Sequence, residues 1–227
     1  MSILTGAALL TARATSPSAD SRTRLGDYID AIGPALASFD QAPLTAAGFA
    51  CTCYYLRGPG AEARDMAAHA RRVGCPVITA TQAIRAMCEA LGLRRLALMA
   101  PYPGWLVDEA KRYFSEVGLD IVAHAGLPAD LVDTRAIYRL SPADVAQVAA
   151  RLDHAAADAV LIGGTGMPSL PFVVAQHLGK PVFSSNMALA SVLLSANMDA
   201  AGRAEGFRRI LSSGARWRQR LALWRPD

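Results

Sequence analysis

No apolar run in this 227-residue chain reaches the roughly 18 residues that a membrane-spanning helix needs, so no span is expected. The opening Met1-Ser2-Ile3-Leu4-Thr5-Gly6-Ala7-Ala8-Leu9-Leu10 has no basic segment ahead of its apolar stretch, and Arg13 comes after it. This is not a secretory signal pattern, and a cytoplasmic location is the expectation. Cysteine is scarce. The four thiols, Cys51, Cys53, Cys75 and Cys88, sit in a chain too large to need staples and are expected to be free. Cys51-x-Cys53 is too tight for a zinc knuckle, and no second Cys/His pair stands at ligand spacing, so no metal site is expected. No Gly-Lys-Ser/Thr follows the turn Gly163-Gly164-Thr165-Gly166, which argues against a phosphate loop.

Acidic residues are scarce at the C-terminal end. Seven arginines lie between Arg203 and Arg225, opposed only by Glu205. No aromatic-basic platform or binding motif accompanies them. With Phe207, Ile210, Leu211, Trp217, Leu221 and Trp224 as its apolar side, the stretch reads as an amphipathic helix with a solvated face. Neither nucleic acid nor membrane is an expected partner. The two tryptophans could pack a second copy, so a homo-oligomer stays open.

The chain is 52% hydrophobic and 19% charged, a globular composition long enough for one large or two small domains. Short β-branched or apolar runs alternate with longer helical patterns, which predicts βαβ units and mainly parallel sheets. Strands are expected at Gly6–Ala12, Ala46–Cys51, Pro76–Thr79, Arg95–Ala100, Asp120–His124, Ala159–Ile162 and Pro181–Ser184. Helices are expected at Arg22–Phe39, Ala61–Val73, Thr81–Leu91, Gly104–Val117, Ser141–Ala155, Ser169–Leu178, Met187–Ala196 and Gly202–Trp224. Ser141-Pro142 is a helix start, and Gly92, Gly118 and Gly179 stand where helices should stop.

An internal repeat organises these elements. Val-Gly-Cys-Pro-Val-Ile-Thr-Ala-Thr-Gln-Ala (73–83) parallels Leu-Gly-Lys-Pro-Val-Phe-Ser-Ser-Asn-Met-Ala (178–188). Upstream of each lies a strand with a small-residue end: Ala-Gly-Phe-Ala-Cys51-Thr52-Cys53 in the first half, Ala-Val-Leu-Ile-Gly163-Gly164-Thr165-Gly166 in the second. The second spacing is shorter by eight residues, which a loop at Leu56-Arg57-Gly58-Pro59-Gly60 can absorb. Two such halves predict α/β architecture: two pseudo-twofold-related Rossmann-like lobes with parallel sheets and a cleft between them. The first lobe would comprise residues 1–91 with 187–227, the second 92–186. Cys51-Thr52 and Gly164-Thr165 would then face each other across one pocket.

Ala50-Cys51-Thr52, Met99-Ala100-Pro101-Tyr102 and Ile162-Gly163-Gly164-Thr165-Gly166 with Lys180-Pro181-Val182-Phe183-Ser184-Ser185-Asn186 resemble the aspartate/glutamate racemase superfamily. The branch is the one that holds arylmalonate decarboxylase and maleate cis-trans isomerase. The resemblance implies cofactor-independent chemistry on a small carboxylic acid, with Cys51 as catalytic thiol and Tyr102 as a substrate-binding residue. Two departures stand out. The second cysteine of the racemases and isomerases would fall at position 164, which is glycine. Met1–Leu10 resembles the family's second strand, so the first strand unit is expected to be missing from this sequence, either because the start is truncated or because the sheet is built without it.

Racemisation needs a base on one face of an acidic carbon and an acid on the other. Decarboxylation of a malonate-type acid needs one acid and donors for an enediolate. A single thiol across the repeat axis therefore favours a decarboxylase. The alternatives are a maleate isomerase or Asp/Glu-type racemase with an unrecognised partner for Cys51, and a non-catalytic small-carboxylate binding protein. Arylmalonate decarboxylases resemble this chain in keeping one cysteine, but they keep the second, so the product here is expected to be the mirror image. Cys51 precedes a helical turn that can lower its pKa, or is a buried structural thiol; Cys53 could be the reactive thiol instead. Thr52, Thr165 and Tyr102 are candidate hydroxyl donors to substrate oxygens. For the threonines the competing role is helix capping, and for Tyr102 packing on Trp105. Gly164 and Gly166 permit close approach, and Asn186 borders the pocket. Tyr54 and Tyr55 are candidates to shape it. Cys75 and Cys88 read as core, and His69, His124, His154 and His177 as structural.

Overall fold

The computed structural model describes the chain except residues 8, 41, 127–133, 176–177 and 224–227, together with the side chains of 134–136. Trp224 and His177 lie outside the described residues. In order, the elements are α1 (Ser2–Thr5), α2 (Ser21–Asp30), α3 (Ile32–Ala37), β1 (Ala47–Phe49), a 3₁₀ turn (Cys53–Leu56) and α4 (Gly58–Val73). There follow β2 (Val77–Thr79), α5 (Ala80–Leu91), β3 (Arg95–Met99), α6 (Gly104–Glu116), β4 (Asp120–Ala125) and a second 3₁₀ turn (Thr134–Arg139). The chain closes with α7 (Pro142–Ala149), β5 (Ala159–Ile162), α8 (Ser169–Ala175), β6 (Val182–Ser184), α9 (Ser185–Leu194), α10 (Ala200–Leu211) and α11 (Arg216–Leu223).

These build an α/β fold with two parallel sheets, ordered β1-β2 and β4-β3-β5-β6. Strands β3 and β5 sit in the middle of the larger sheet. Their runs Leu96–Met99 and Ala159–Ile162 are buried throughout, as strands covered on both faces must be. The repeat read from sequence is the register of the sheets. Phe49 pairs with Thr79 and Ile162 pairs with Ser184, so Cys51 and Gly164 each stand two residues past the last paired residue of their strand. The eight-residue difference does not lie in a loop at 56–60. Helix α4 already starts at Gly58 and runs for 16 residues, whereas α8 runs for 7 among the described residues.

Helix termini follow local chemistry. Ser141 caps α7 with a reciprocal Asp144 bond, and Thr79 caps α5 with Gln82 in the same way. Gly92, Gly118 and Gly179 all have φ between 68° and 76°, the left-handed stop expected of them. Helix α9 is buried on most of its surface, Leu194 being 50% exposed, and it packs on α5 and α10 and touches strands of both sheets.

Four expectations fail for identifiable reasons. Gly6–Ala12 holds no strand among its described residues. Gly6 ends α1 at φ 66°, and α1 is held to the other end of the chain by Arg220, which donates to the Ile3 and Leu4 carbonyls at 2.6 and 2.8 Å. Leu10 is left 63% exposed with no strand beside it. Arg22–Phe39 divides at Ala31 because Pro34 cannot supply a ladder N–H. Ser141–Ala155 ends at Ala149, and Lys180 Nζ takes the carbonyls of His154 and Ala157 beyond it. Gly202–Trp224 is two helices broken at Ser212, whose φ and ψ of −67° and 153° are extended.

The basic C-terminal stretch serves the chain's own backbone. Arg203 donates to Met198 O at 2.6 Å and Arg218 to Ser212 O at 3.2 Å, in addition to Arg220 on α1. Trp217, expected on the apolar side, is 2% exposed and donates from Nε1 to Ile210 O; it belongs to the core and not to an interface. Among the described residues no helix is long and apolar enough to cross a membrane.

Candidate active site

The ends of β1, β3 and β5 converge on a cavity of about 90 Å³. Cys51, Thr52 and Cys53 form one wall; Gly164, Thr165 and Gly166 form the other; Pro101 and Tyr102, just beyond β3, close the floor between them. Seven of the eight residues nominated from sequence line this cavity. Asn186 does not. Its amide donates to Thr165 O at 2.8 Å, so it braces the second wall from behind.

Tyr102 bridges the two walls. Its hydroxyl accepts from Gly164 N at 2.8 Å and lies 2.8 Å from Thr52 Oγ1. The ring does not pack on Trp105 as the alternative required. It meets Tyr55 edge-to-face at 6.3 Å, while Trp105 lies under the Arg22 guanidinium. Tyr54 and Tyr55 are fully buried and line nothing; Tyr54 donates to Asp65 at 2.9 Å. Burial pushes the Tyr102 hydroxyl upward, so it stays a neutral donor at any working pH.

The two thiols are driven apart in acidity. Cys51, half-buried, is lowered from the ordinary thiol value. The main cause is hydrogen bonding from the Cys53 thiol, helped by the Cys53 and Thr52 backbone N–H groups and opposed by burial. Cys53, at 1% exposure, is pushed well up by burial and then by the Cys51 and Glu62 charges. Cys51 is thus the thiol that ionises and Cys53 its donor, with the 3₁₀ turn's amides playing the part of a helix N-terminus. Cys75 is buried and shifted upward by burial, and burial pushes Cys88 to about 12, so both are inert core thiols.

Opposite Cys51, Gly164 has φ 81°, and a Cβ there would sit 2.7 Å from Ile137 Cδ1 and 3.1 Å from Pro101 Cδ. A Cβ at Gly166 would be 2.9 Å from Tyr138 Cε1 and 3.0 Å from Ile137 Cγ2. The second 3₁₀ turn therefore roofs the glycine wall with Ile137 and Tyr138. Leu25 and Tyr28 of α2 and Leu106 of α6 complete the lining, which among the described residues carries no basic side chain. Sequence reading missed these five. Leu25 and Tyr28 stand at the i, i+3 spacing of an ordinary core face, and Ile137-Tyr138 lie in a connection whose path only packing decides. Among the described residues no group of His, Cys, Asp and Glu could hold a metal ion.

The family profile of arylmalonate decarboxylase matches residues 26–211. A maleate isomerase of Geobacillus stearothermophilus is 31% identical over 137 residues, which is 57% of this chain and 54% of that protein. The chain spans about half the length of the curated relatives it matches. A Nocardia farcinica maleate cis-trans isomerase mutant, solved with a covalently bound succinylcysteine intermediate, superposes with a TM-score of 0.72 at 23% identity, covering 79% of this chain and 76% of that one. An arylmalonate decarboxylase superposes at 0.61 and 21% identity, covering 77% and 78%. Both structural likenesses establish the two-lobed fold.

Proposed function

The chain belongs to the arylmalonate decarboxylase family, and from that premise we propose that it is a cofactor-independent lyase acting on a malonate-like dicarboxylic acid. One observation carries this reading: Cys51 faces a glycine wall that is roofed by Ile137, so the cavity offers proton transfer from one side only. The Gly164 N–H donates to the Tyr102 hydroxyl, and Tyr102 and Thr52 share one bond, so one substrate carboxylate would take the hydroxyl proton that this pair leaves free, the oxyanion donor for the enediolate. The other would lie against apolar lining with no counter-charge, where its ionic form is poorly solvated. Breaking its C–C bond releases CO₂ and leaves the electron pair in the enediolate. The Cys51 S–H then delivers its proton to the α-carbon, and the resulting thiolate is reprotonated from solvent.

A second reading is a maleate isomerase, in which Cys51 attacks as thiolate. Its support is the lowered Cys51 pKa, which favours the thiolate, and the succinylcysteine in the Nocardia farcinica isomerase. Phenylmalonate and maleate separate the two. As acid, Cys51 must be a thiol, so turnover falls as pH rises through its lowered pKa; as nucleophile it must be a thiolate, so turnover rises. CO₂ release from phenylmalonate that falls with pH and disappears in Cys51→Ala is the expected result. Conversion of maleate with no CO₂ from malonates would replace the lyase with the isomerase. Thermal stabilisation by both acids without turnover would leave a binding protein.

A further inference from the structure

Helix α4 buries two residues, Met66 and Glu62, and a glutamate at 1% exposure demands an explanation. Three hydroxyls reach it: Thr79 and Thr81 donate to Oε1, and Tyr113 donates to Oε2. An apolar side chain of similar volume would avoid the cost of desolvating a carboxylate, so stability alone does not account for it. The three donors come from two places, the start of α5 and helix α6. Thr79 is the N-cap of α5, Thr81 lies in its first turn, and Tyr113 is on α6.

We propose that Glu62 is a positioning residue for the candidate active site, tying α6 to the α5 cap so that Tyr113, Tyr55 and Tyr102 hold the Cys51–Cys53 turn against the Gly164 wall. The path is continuous. Tyr113 meets Tyr55 edge-to-face at 5.5 Å, and Tyr55 meets Tyr102, whose hydroxyl spans both walls. Arg112 adds a bond from α6 to the Tyr55 carbonyl at 3.3 Å. Charge acts along the same route. The groups facing Glu62 are Tyr113 from α6, Arg85 from α5, and Cys53 and Tyr55 from the 3₁₀ turn. Burial chiefly keeps the Cys53 thiol protonated as the donor to Cys51, and the negative charge of Glu62 adds to it in the same direction.

Iodoacetamide alkylation of Cys51, followed by mass spectrometry across pH, tests this without any substrate, and decarboxylation kinetics add an arm that rests on the lyase reading. Glu62→Gln keeps the shape and the acceptor for Thr79 and Thr81, turns the Tyr113 contact into one that the amide donates, and removes the charge. The expected result is a near-native melting temperature with the thiol ionisation midpoint lowered by about half a pH unit or more. Where the lyase reading holds, kcat should also fall about ten- to a hundred-fold with KM little changed. If Glu62→Gln does not fold, Tyr113→Phe removes one donor, favours the neutral carboxyl, and should lower the midpoint in the same direction. An unchanged midpoint in the folded variant overturns the proposal and leaves Glu62 a purely structural group. A shifted midpoint in a protein that turns over nothing keeps the proposal and rejects the lyase.

Discussion

A thiol introduced at Gly164 would restore the second acid/base group of a racemase, yet the surrounding geometry opposes it. The residue holds φ 81°, a left-handed conformation that costs a non-glycine residue about 1–2 kcal/mol. Its Cβ would lie 2.7 Å from Ile137 Cδ1 and 3.1 Å from Pro101 Cδ. The isoleucine tip can move, but the proline ring is fixed, and overpacking of this kind costs about 1–3 kcal/mol. Gly164→Cys should therefore lose roughly 2–5 kcal/mol, a fall in Tm of about 5–15 °C for a chain of this size. Calorimetry measures that loss, and proton NMR in heavy water measures exchange at the product α-carbon. The single variant should exchange on one face only; adding Ile137→Ala should recover only the part of the loss that the 2.7 Å contact causes and allow exchange on both. A Gly164→Cys protein that melts within about 2 °C of its parent and racemises freely would refute both the steric argument and the one-sided site.

Other consequences are independent of that variant. Chiral analysis of the product in heavy water should give the enantiomer opposite to that of an arylmalonate decarboxylase whose thiol stands on the second wall; the same enantiomer would move the proton donor away from Cys51. Tyr102→Phe removes the hydroxyl between Thr52 and Gly164 N and should lower kcat about 10²–10³-fold, and a loss confined to KM would deny it a role in the transition state. Asp158 accepts from the Arg95 side chain and from the Arg94 and Arg95 amides, which hold it down to about 2. Because its folded value lies below the ordinary value of about 3.9, the stabilisation is present above about pH 4 and is lost as pH falls toward 2. Melting curves of Asp158→Asn should lack that part of the acid dependence; identical curves would contradict it.

The local periodicities carried most of the fold. Apolar runs at β3 and β5, the Ser141 cap and the stopping glycines are short-range physics, and the repeat encodes which residues pair across the sheets. Cys51 and Gly164 were legible because strand ends in a doubled α/β unit must face one cleft, whereas Tyr102 was legible only through the resemblance of Met99-Ala100-Pro101-Tyr102 to a family motif. The strand expected at Gly6–Ala12 shows the limit of such patterns: β-propensity needs a partner, and Arg220, more than two hundred residues away, anchors the chain elsewhere. Glu62 was invisible, since a glutamate on an amphipathic helix looks solvated until three hydroxyls from other elements close over it. Sequence by itself therefore determined the doubled unit and a lone thiol at the end of its first half. Tertiary packing alone decided that Tyr102 joins the walls and that Ile137 fills the opposite side, because each depends on segments meeting whose order along the chain says nothing of their distance.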